Sequence, residues 1–195
     1  MYRNKMSDPK LKKTFFLTGQ PGVGKTAVLL KIVERLKAQG FKIGGLLSRE
    51  VRKDGRRVGF KILALDTGRE GWLAHVRQSV GPKIGKYRVC MKDLESIGVD
   101  AILRAIKETE IVVIDEVGPM ELFSQSFRRA VTEALNSKKI ILGTIHYRIR
   151  TPLVTKIKER EDVEIIEVTR GNRETLPETI TSEILRMKNE PNRNN

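Results

Sequence analysis

The chain has 195 residues and a formal net charge of +14, with 39% hydrophobic and 32% charged residues. This balance suits one globular domain with a highly charged surface, and no apolar run approaches the ~18 residues that a membrane helix needs. The single cysteine, Cys90, excludes an intrachain disulfide, and the first residues lack the apolar stretch of a signal peptide. We therefore expect a cytoplasmic protein without a membrane partner, ordered over residues 13–186 with tails at 1–12 and 187–195.

The excess of basic residues favours anionic partners, which include nucleic acid and free nucleotides. The lysines and arginines are spread over the chain and interleaved with acidic and apolar residues. The sequence contains no aromatic-studded basic stripe of the kind that stacks bases. Nucleic acid is therefore a possible partner but not the favoured one. A surface rich in Lys, Arg and Glu is also typical of proteins from heat-adapted organisms.

The first half of the chain predicts a strand, a helix, a second strand and a hairpin, in that order. A buried strand over 14–18 precedes a helix from Lys25 to Gln39, which Gly40 ends. The apolar face of that helix consists of Leu29, Ile32, Val33 and Leu36. A second strand follows at 41–47, and residues 48–64 predict a hairpin whose turn is Asp54-Gly55. Residues 66–91 contain only short strand-like pieces.

Regular alternation of helices and strands returns after residue 92. Helices are predicted near 93–108, from Leu122 to Leu135, near 152–160, and from about Thr175 onward. Strands are predicted at 110–118, 138–145 and 163–168. The apolar face of the second of these helices consists of Phe123, Phe127, Ala130, Val131 and Ala134. This order predicts an α/β fold with a mostly parallel sheet between helices.

The segment "GQPGVGKT" lies between the first strand and the first helix and predicts a phosphate-binding loop. Its residues are Gly19, Gln20, Pro21, Gly22, Val23, Gly24, Lys25 and Thr26. Three glycines let successive main-chain N–H groups point inward, and the helix N-terminus adds partial positive charge. Lys25 can then reach the β- and γ-phosphates, and the Thr26 hydroxyl can ligate Mg²⁺.

The run "IVVIDE" predicts the second half of such a site, because its two acids end a buried strand. Asp115 is expected to hold Mg²⁺ and Glu116 to orient or deprotonate an attacking water. Thr144 ends the strand at 138–145 and is either a γ-phosphate sensor or a plain strand-end threonine. His146 is interpreted as a surface or hydrogen-bonded histidine.

Three functions remain compatible with these motifs. The first is hydrolysis of nucleoside triphosphates by water, and the second is a nucleotide or nucleoside kinase with a basic lid at 52–57 or 148–150. The third is an ATPase that nucleic acid stimulates. A guanine-specific switch protein is disfavoured because the chain has no N-K-x-D segment.

Several motifs together resemble the thermostable nucleoside triphosphatase family, whose vertebrate member is the cancer-related nucleoside triphosphatase. They are "FFLTGQPGVGKT", "SREVRKDGRRVGF", "GKYRV", "VVIDEVGPMELFSQSF", "ILGTIH" and "VTRGNR", and the resemblance extends from about residue 14 to 183. It implies Mg²⁺-dependent hydrolysis of ATP, GTP, CTP and UTP with low base selectivity. It also implies a P-loop NTPase fold with a RecA-like sheet that antiparallel strands enlarge around 48–91.

The resemblance also assigns residues beyond the phosphate-binding loop. The second nucleotide-binding stretch is Val113, Ile114, Asp115, Glu116, Val117, Gly118, Pro119 and Met120. Glu121 is expected to support that loop, and Asn172 and Arg173 to meet the base or ribose. An arginine finger, if present, would be Arg128, Arg148, Arg150, Arg173 or a residue of a second subunit. We expect a monomer or a weak homo-oligomer.

Overall fold

The computed structural model describes residues 12–189 of the chain, so the predicted tails fall largely outside the described residues. The strands are β1 (Thr14–Thr18), β2 (Ile43–Lys53), β3 (Arg56–Ala64), β4 (Glu70–His75), β5 (Lys83–Ile84), β6 (Tyr87–Val89), β7 (Ile111–Val117), β8 (Ile140–Ile145) and β9 (Val163–Glu167). The helices are α1 (Lys25–Ala38), α2 (Met91–Asp93), α3 (Asp100–Glu108), α4 (Gln125–Asn136), α5 (Pro152–Glu159) and α6 (Leu176–Asn189).

One nine-stranded sheet, in the order β5-β6-β4-β3-β2-β7-β8-β1-β9, forms the centre of the described chain. The five strands from β2 to β9 in this order are parallel, as the alternation of helices and strands predicted. β8 lies between β1 and β7, so the phosphate-binding loop and the Asp115 strand are separated by one strand. All three strands end at the same edge of the sheet.

Strands β3 to β6 add an antiparallel extension to the parallel part of the sheet. The predicted hairpin turn is confirmed, because Asp54 and Gly55 both have positive φ, at 50° and 71°. The strand predicted at 41–47 is present from Ile43, but it is not separate from the first strand of the hairpin. β2 runs without interruption from Ile43 to Lys53 and pairs with β7 along its first half and with β3 along its second.

Two hydrophobic cores lie on opposite faces of the sheet, because alternate residues of a strand point to opposite sides. The core that includes Leu29 and Ile32 joins α1 and α6 to one face. The core that includes Ile102 and Phe127 joins α3, α4 and α5 to the other face. All four predicted apolar residues of α1 are buried. Helices therefore cover both faces of the parallel strands.

Two helices differ from the sequence prediction. The helix predicted near 93–108 begins at Met91 and contains a π-helical turn at Leu94–Val99 before α3. Phe123 was predicted on the buried face of α4, but it lies in a 3₁₀ turn before that helix and is 44% exposed. Within residues 12–189, no helix combines the length and the apolar character needed to cross a membrane.

Candidate active site

The loop between β1 and α1 brings main-chain N–H groups together at the start of the helix. Gly19 and Gly24 have φ values of +138° and +108°, which residues with a side chain rarely adopt. A Cβ at Gly19 would also lie 2.6 Å from the carbonyl oxygen of Val168. Among the described residues, no side chain caps α1 and no acid lies in its first turn. The first N–H groups of α1 are therefore suited to bind an anion.

Lys25 and Thr26 are the first two residues of α1 and extend from the same loop. The Lys25 ammonium lies over the loop and donates to the carbonyl oxygen of Gly19 over 3.2 Å. The Thr26 hydroxyl lies 3.3 and 3.2 Å from the two carboxylate oxygens of Asp115, 89 positions away in the sequence. The structure thus joins the phosphate-binding loop to the predicted acid through a direct contact.

Asp115 is buried at the carboxyl end of β7 and is 1% exposed. Its carboxylate accepts hydrogen bonds from the Thr26 hydroxyl and from the Thr144 hydroxyl, the latter at 2.5 Å. Burial raises the pKa of Asp115 to about 6, although the hydrogen bond from Thr144 acts in the opposite direction. A carboxylate this isolated from water gains from a nearby cation.

The residues around Asp115 fit a magnesium ion. Mg²⁺ prefers oxygen ligands and is usually bound by one or two protein oxygens together with substrate phosphates and water. Thr26 and Asp115 supply a hydroxyl and a carboxylate at the edge of the phosphate-binding loop. The part of the chain at 12–189 contains no group of three or more His, Cys, Asp or Glu that could hold a metal alone. Binding of Mg²⁺ here would accordingly depend on a phosphate-bearing ligand.

Glu116 is the next residue and lies near Lys25. Burial raises the pKa of Glu116, while the charge of Lys25 partly opposes this rise. Within the described residues, its Oε1 atom is buried and has no hydrogen-bond partner. Buried polar atoms are normally hydrogen-bonded, so a lone acceptor beside an ammonium calls for an explanation. A water or ligand hydroxyl at this position would satisfy it.

A second buried acid, Glu121, lies against the same segment. It is 4% exposed, and burial together with the charges of Glu116 and Asp115 raises the pKa of Glu121 to about 8. A Cβ at Gly118 would lie 2.8 Å from Glu121 Oε2 and 3.4 Å from Glu116 Cγ. Both acidic side chains therefore converge on Gly118, where the lack of a side chain leaves room for them.

His146 lies closer to the site than the sequence interpretation assumed. The main-chain N–H of His146 donates to the carbonyl oxygen of Val117 over 3.2 Å, which holds the residue beside the end of β7. Its Nδ1 accepts from the N–H of Arg148, so a neutral ring carries its proton on Nε2. Burial, and then the charges of Lys25 and Arg148, lower the pKa of His146. The histidine is therefore a neutral hydrogen-bond donor near Lys25. In the sequence, only its position directly after a predicted strand could have indicated that it lies near the site.

The loop after β9 forms the side of the site next to Gly24. The Cδ of Arg173 lies 4.0 Å from the Cβ position of Gly24, so the arginine stem runs along the phosphate-binding loop. Asn172 accepts from the N–H of Thr169 over 2.8 Å and donates to the carbonyl oxygen of Glu167 over 2.9 Å. Both ends of this amide thus shape the loop, and its predicted contact with a nucleotide remains a prediction.

The remaining predicted residues divide into four groups. Gln20, Pro21 and Gly22 are exposed on the outside of the phosphate-binding loop, and Val23 packs on the α1 core. Val113, Ile114 and Val117 are fully buried, so their side chains fix β7 in the cores. Pro119 is exposed, and Met120 packs on the α4 core. Of the arginine finger candidates, Arg128 donates to the carbonyl oxygen of Leu122, while Arg148 and Arg150 lie in the loop after β8.

Comparisons with known proteins agree over nearly the whole chain. A family model described as NTPase matches residues 14–181. The nucleoside-triphosphatase THEP1 of Thermofilum pendens is 51% identical over 173 residues, which are 88% of this chain and 95% of that protein.

Two solved structures have the same fold as this chain. The crystal structure of THEP1 from the hyperthermophile Aquifex aeolicus aligns with a TM-score of 0.77 at 32% identity, covering 87% of this chain and 97% of that one. The solution structure of a human cancer-related nucleoside triphosphatase aligns with a TM-score of 0.73 at 38% identity, covering 88% and 96%. The similarity thus includes both the phosphate-binding loop and the segment with Asp115 and Glu116.

Proposed function

Because this chain belongs to the nucleoside-triphosphatase family that includes THEP1, we propose that it hydrolyses ATP, GTP, CTP and UTP to diphosphate and phosphate with little selectivity for the base. Family membership makes the protein a P-loop nucleoside-triphosphatase, and hence a hydrolase. The substrate range, the requirement for Mg²⁺ and the residue assignments below are our proposals.

The buried Oε1 atom of Glu116 is the observation on which the proposal rests. This acceptor lies one residue after Asp115, which contacts Thr26 of the phosphate-binding loop, and it has no hydrogen-bond partner among residues 12–189. A water that donates to Glu116 would be next to the γ-phosphate of a bound triphosphate. Such a position suits a group that orients water and accepts its proton.

The phosphate-binding loop and Lys25 supply most of the remaining chemistry. The first N–H groups of α1 and the Lys25 ammonium bind the β- and γ-phosphates and oppose the negative charge that develops during cleavage. Thr26 and Asp115 would hold Mg²⁺, which supplies further positive charge to the phosphate oxygens. Glu116 orients the water in line with the bond to the leaving diphosphate and takes up its proton.

Low base selectivity is supported by the loop after β9. Selective recognition of a base needs polar groups that pair with its edge. The amide of Asn172 is bonded to Thr169 and Glu167, and is thus already engaged within the loop. Arg173 can lie against any base or its ribose, because a guanidinium stacks on every aromatic ring.

Phosphate release from each of the four triphosphates tests the proposal. We expect similar rates with ATP, GTP, CTP and UTP, with loss of activity when Mg²⁺ is chelated. The same assay is repeated with an added nucleoside monophosphate. A diphosphate product that forms from the monophosphate would indicate a kinase, and activity on a single triphosphate would contradict the broad substrate range. The cytoplasm, which contains all four substrates, is the compartment that we propose.

A further inference from the structure

One face of the antiparallel extension carries two neighbouring rows of side chains, which we call the basic aromatic face. The register of the strands places Arg49, Lys61 and Trp72 in the first row and Gly59, His75 and Arg88 in the second. Paired residues on adjacent strands have their side chains on the same side of a sheet. The six residues therefore share one face, although they come from four strands.

Two aromatic rings lie together in the middle of this face. The ring centroids of Trp72 and His75 are 4.4 Å apart, with planes inclined by 58°. A Cβ at Gly59 would lie 3.0 Å from an atom of each ring, so the rings extend over the glycine of the neighbouring strand. Both rings remain partly exposed. The absence of a side chain at Gly59 thus leaves room for two aromatic rings on this face.

Cationic side chains surround these rings. The Lys61 ammonium lies 5.7 Å from the centroid of the Trp72 ring, and Arg49 is paired across the strands with Lys61. Glu70 forms ion pairs with both Lys61 and Arg49, whose side chains are 32% and 56% exposed. Arg88 adds a third cation in the second row. One acid therefore orients two cations beside an indole and leaves the face with net positive charge.

The basic aromatic face adjoins the candidate active site. Leu47 and Leu63 are paired across β2 and β3 and both pack on the core that contains α1, so the face lies on the α1 side of the sheet. β2 pairs with β7 up to Leu46 and Ile114, so Ser48 lies beside the end of β7, where Asp115 follows Ile114. Arg49 is the next residue along β2. A ligand on this face would thus lie close to the carboxylate that we assign to Mg²⁺.

We infer that the basic aromatic face binds single-stranded nucleic acid. Unpaired bases stack on exposed aromatic rings, and cations along the same surface bind the phosphates between them. Trp72 provides the main stacking surface, and Arg49, Lys61 and Arg88 bind the backbone. The bases of a duplex are stacked on one another and cannot reach an indole on a sheet, so a single strand is the matching ligand. Sequence reading missed this surface because its residues are scattered over 40 positions of the chain.

Fluorescence of Trp72 gives a direct test, since it is the only tryptophan in the chain. The full chain, without nucleotide or Mg²⁺, is titrated with an oligo-dT of about 15 nucleotides, which is near the upper end of the roughly 4–16 nucleotides that one single-strand-binding OB-fold covers. We expect tight binding at low salt and quenching of the indole. With three phosphate contacts, the slope of log affinity against log salt should be about −2.

Four variants separate stacking from simple charge attraction. Trp72→Leu should weaken binding about tenfold or more, whereas Trp72→Phe should stay close to the wild type. Because neither variant contains a tryptophan, their affinities are measured by the fluorescence anisotropy of a dye-labelled oligo-dT. Lys61→Ala should reduce the salt slope by about 0.7, and the exposed Lys107→Ala on α3 should leave it unchanged. Phosphate release without nucleic acid should be the same in all four variants, which verifies that each folds.

Two further ligands complete the test. Inorganic polyphosphate of equal charge should bind without quenching Trp72, and duplex DNA should bind more weakly than the single strand. The inference is overturned if oligo-dT binds no better than polyphosphate, if duplex binds more tightly, or if Trp72→Leu has no effect. Because the binding measurements need no hydrolysis, they remain valid even if the proposed catalytic residues are incorrect.

Discussion

The hydroxyl of Thr144 donates to Oδ1 of Asp115 over 2.5 Å, although the two residues are 29 positions apart in the chain. They meet because β8 lies parallel to β7 and both strands end at the same edge of the sheet. Thr144 is fully buried, so its hydroxyl is engaged with the carboxylate that we assign to Mg²⁺. Direct contact with the γ-phosphate, as the sequence suggested, stays a prediction.

Thr144→Val should weaken binding of Mg²⁺-nucleotide by about tenfold, the usual effect of losing one hydrogen bond to a buried charge. Without the hydroxyl, the pKa of Asp115 should rise further and the ionised carboxylate that binds Mg²⁺ should become rarer. Thr144→Ser keeps the donor and is the matched control. Calorimetric titration measures the affinity and phosphate release gives kcat. A fall in kcat with unchanged affinity would instead indicate contact between Thr144 and the γ-phosphate.

Glu116→Gln should lower kcat by about 10²- to 10⁴-fold and leave nucleotide affinity nearly unchanged. The amide keeps the size of the side chain but cannot accept a proton. Steady-state phosphate release and titration with Mg²⁺-ATP measure the two quantities. Glu34→Gln, at an exposed position on α1, is the control and should behave like the wild type. Full turnover in Glu116→Gln would remove this residue from catalysis.

Gly118→Ala should disturb both acids that converge on this glycine. The new methyl group would lie 2.8 Å from Glu121 Oε2, and the buried Glu121 has little room to move. We expect a loss of about 1–3 kcal/mol in stability, or several degrees in Tm, together with at least tenfold slower turnover. Gly171→Ala is the matched control, because its nearest neighbour would be Thr169 Oγ1 at 3.8 Å. Equal Tm and turnover in Gly118→Ala and Gly171→Ala would show that Glu121 and Glu116 do not crowd Gly118.

The pH dependence of stability should report on Glu121. Burial and the charge of Glu116 raise the pKa of Glu121 from 4.5 to about 8, so the folded protein holds this proton more tightly than the unfolded chain. The resulting stabilisation is complete below about pH 4.5 and is lost as the pH rises through about 8.

Glu121→Gln cannot ionise and should therefore lose less stability with rising pH. Without Mg²⁺, the difference in Tm between pH 5 and pH 9 should be several degrees smaller than in the wild type. Glu133→Gln, at an exposed position on α4, serves as the control. If the Tm of Glu121→Gln falls as steeply between pH 5 and pH 9 as the Tm of the wild type, the carboxyl group of Glu121 does not hold its proton at neutral pH.

Arg173→Ala should raise KM by about fivefold, and by the same factor for all four triphosphates. The arginine stem runs along the phosphate-binding loop, and its guanidinium can contact any base or ribose. Values of kcat should change little. Arg170→Ala, in the same loop and exposed, is the control. Unequal increases among the four triphosphates would show that Arg173 contributes to base selection.

The parts of the site that sequence predicted are those with a local signal. Gly19 and the acids at 115 and 116 directly follow apolar strand patterns, and Gly24 directly precedes a helical pattern, so their structural context can be predicted from the sequence. The parallel sheet could be predicted for the same reason. The contacts between side chains of different strands could not be predicted, since these contacts depend on the pairing register of the strands.

Three residues illustrate the limit. The hydrogen bond from Thr144 to Asp115 arises only because β8 lies next to β7. Trp72 reaches Lys61 through a register that includes a shift between Phe60 and Lys61. No short sequence pattern encodes either contact. Phe123 fits the helical spacing of α4, but the chain begins that helix two residues later.

The continuity of β2 limits how far this enzyme can be shortened. Its first half pairs with β7 inside the parallel sheet and its second half pairs with β3, so no joint separates the extension from the catalytic half. Excising residues 54–91 would remove β3, one of the two neighbours of β2, and leave β2 as an exposed edge strand. Exposed edge strands pair with other chains. A truncated enzyme of this kind is therefore expected to self-associate even if its nucleotide site remains whole.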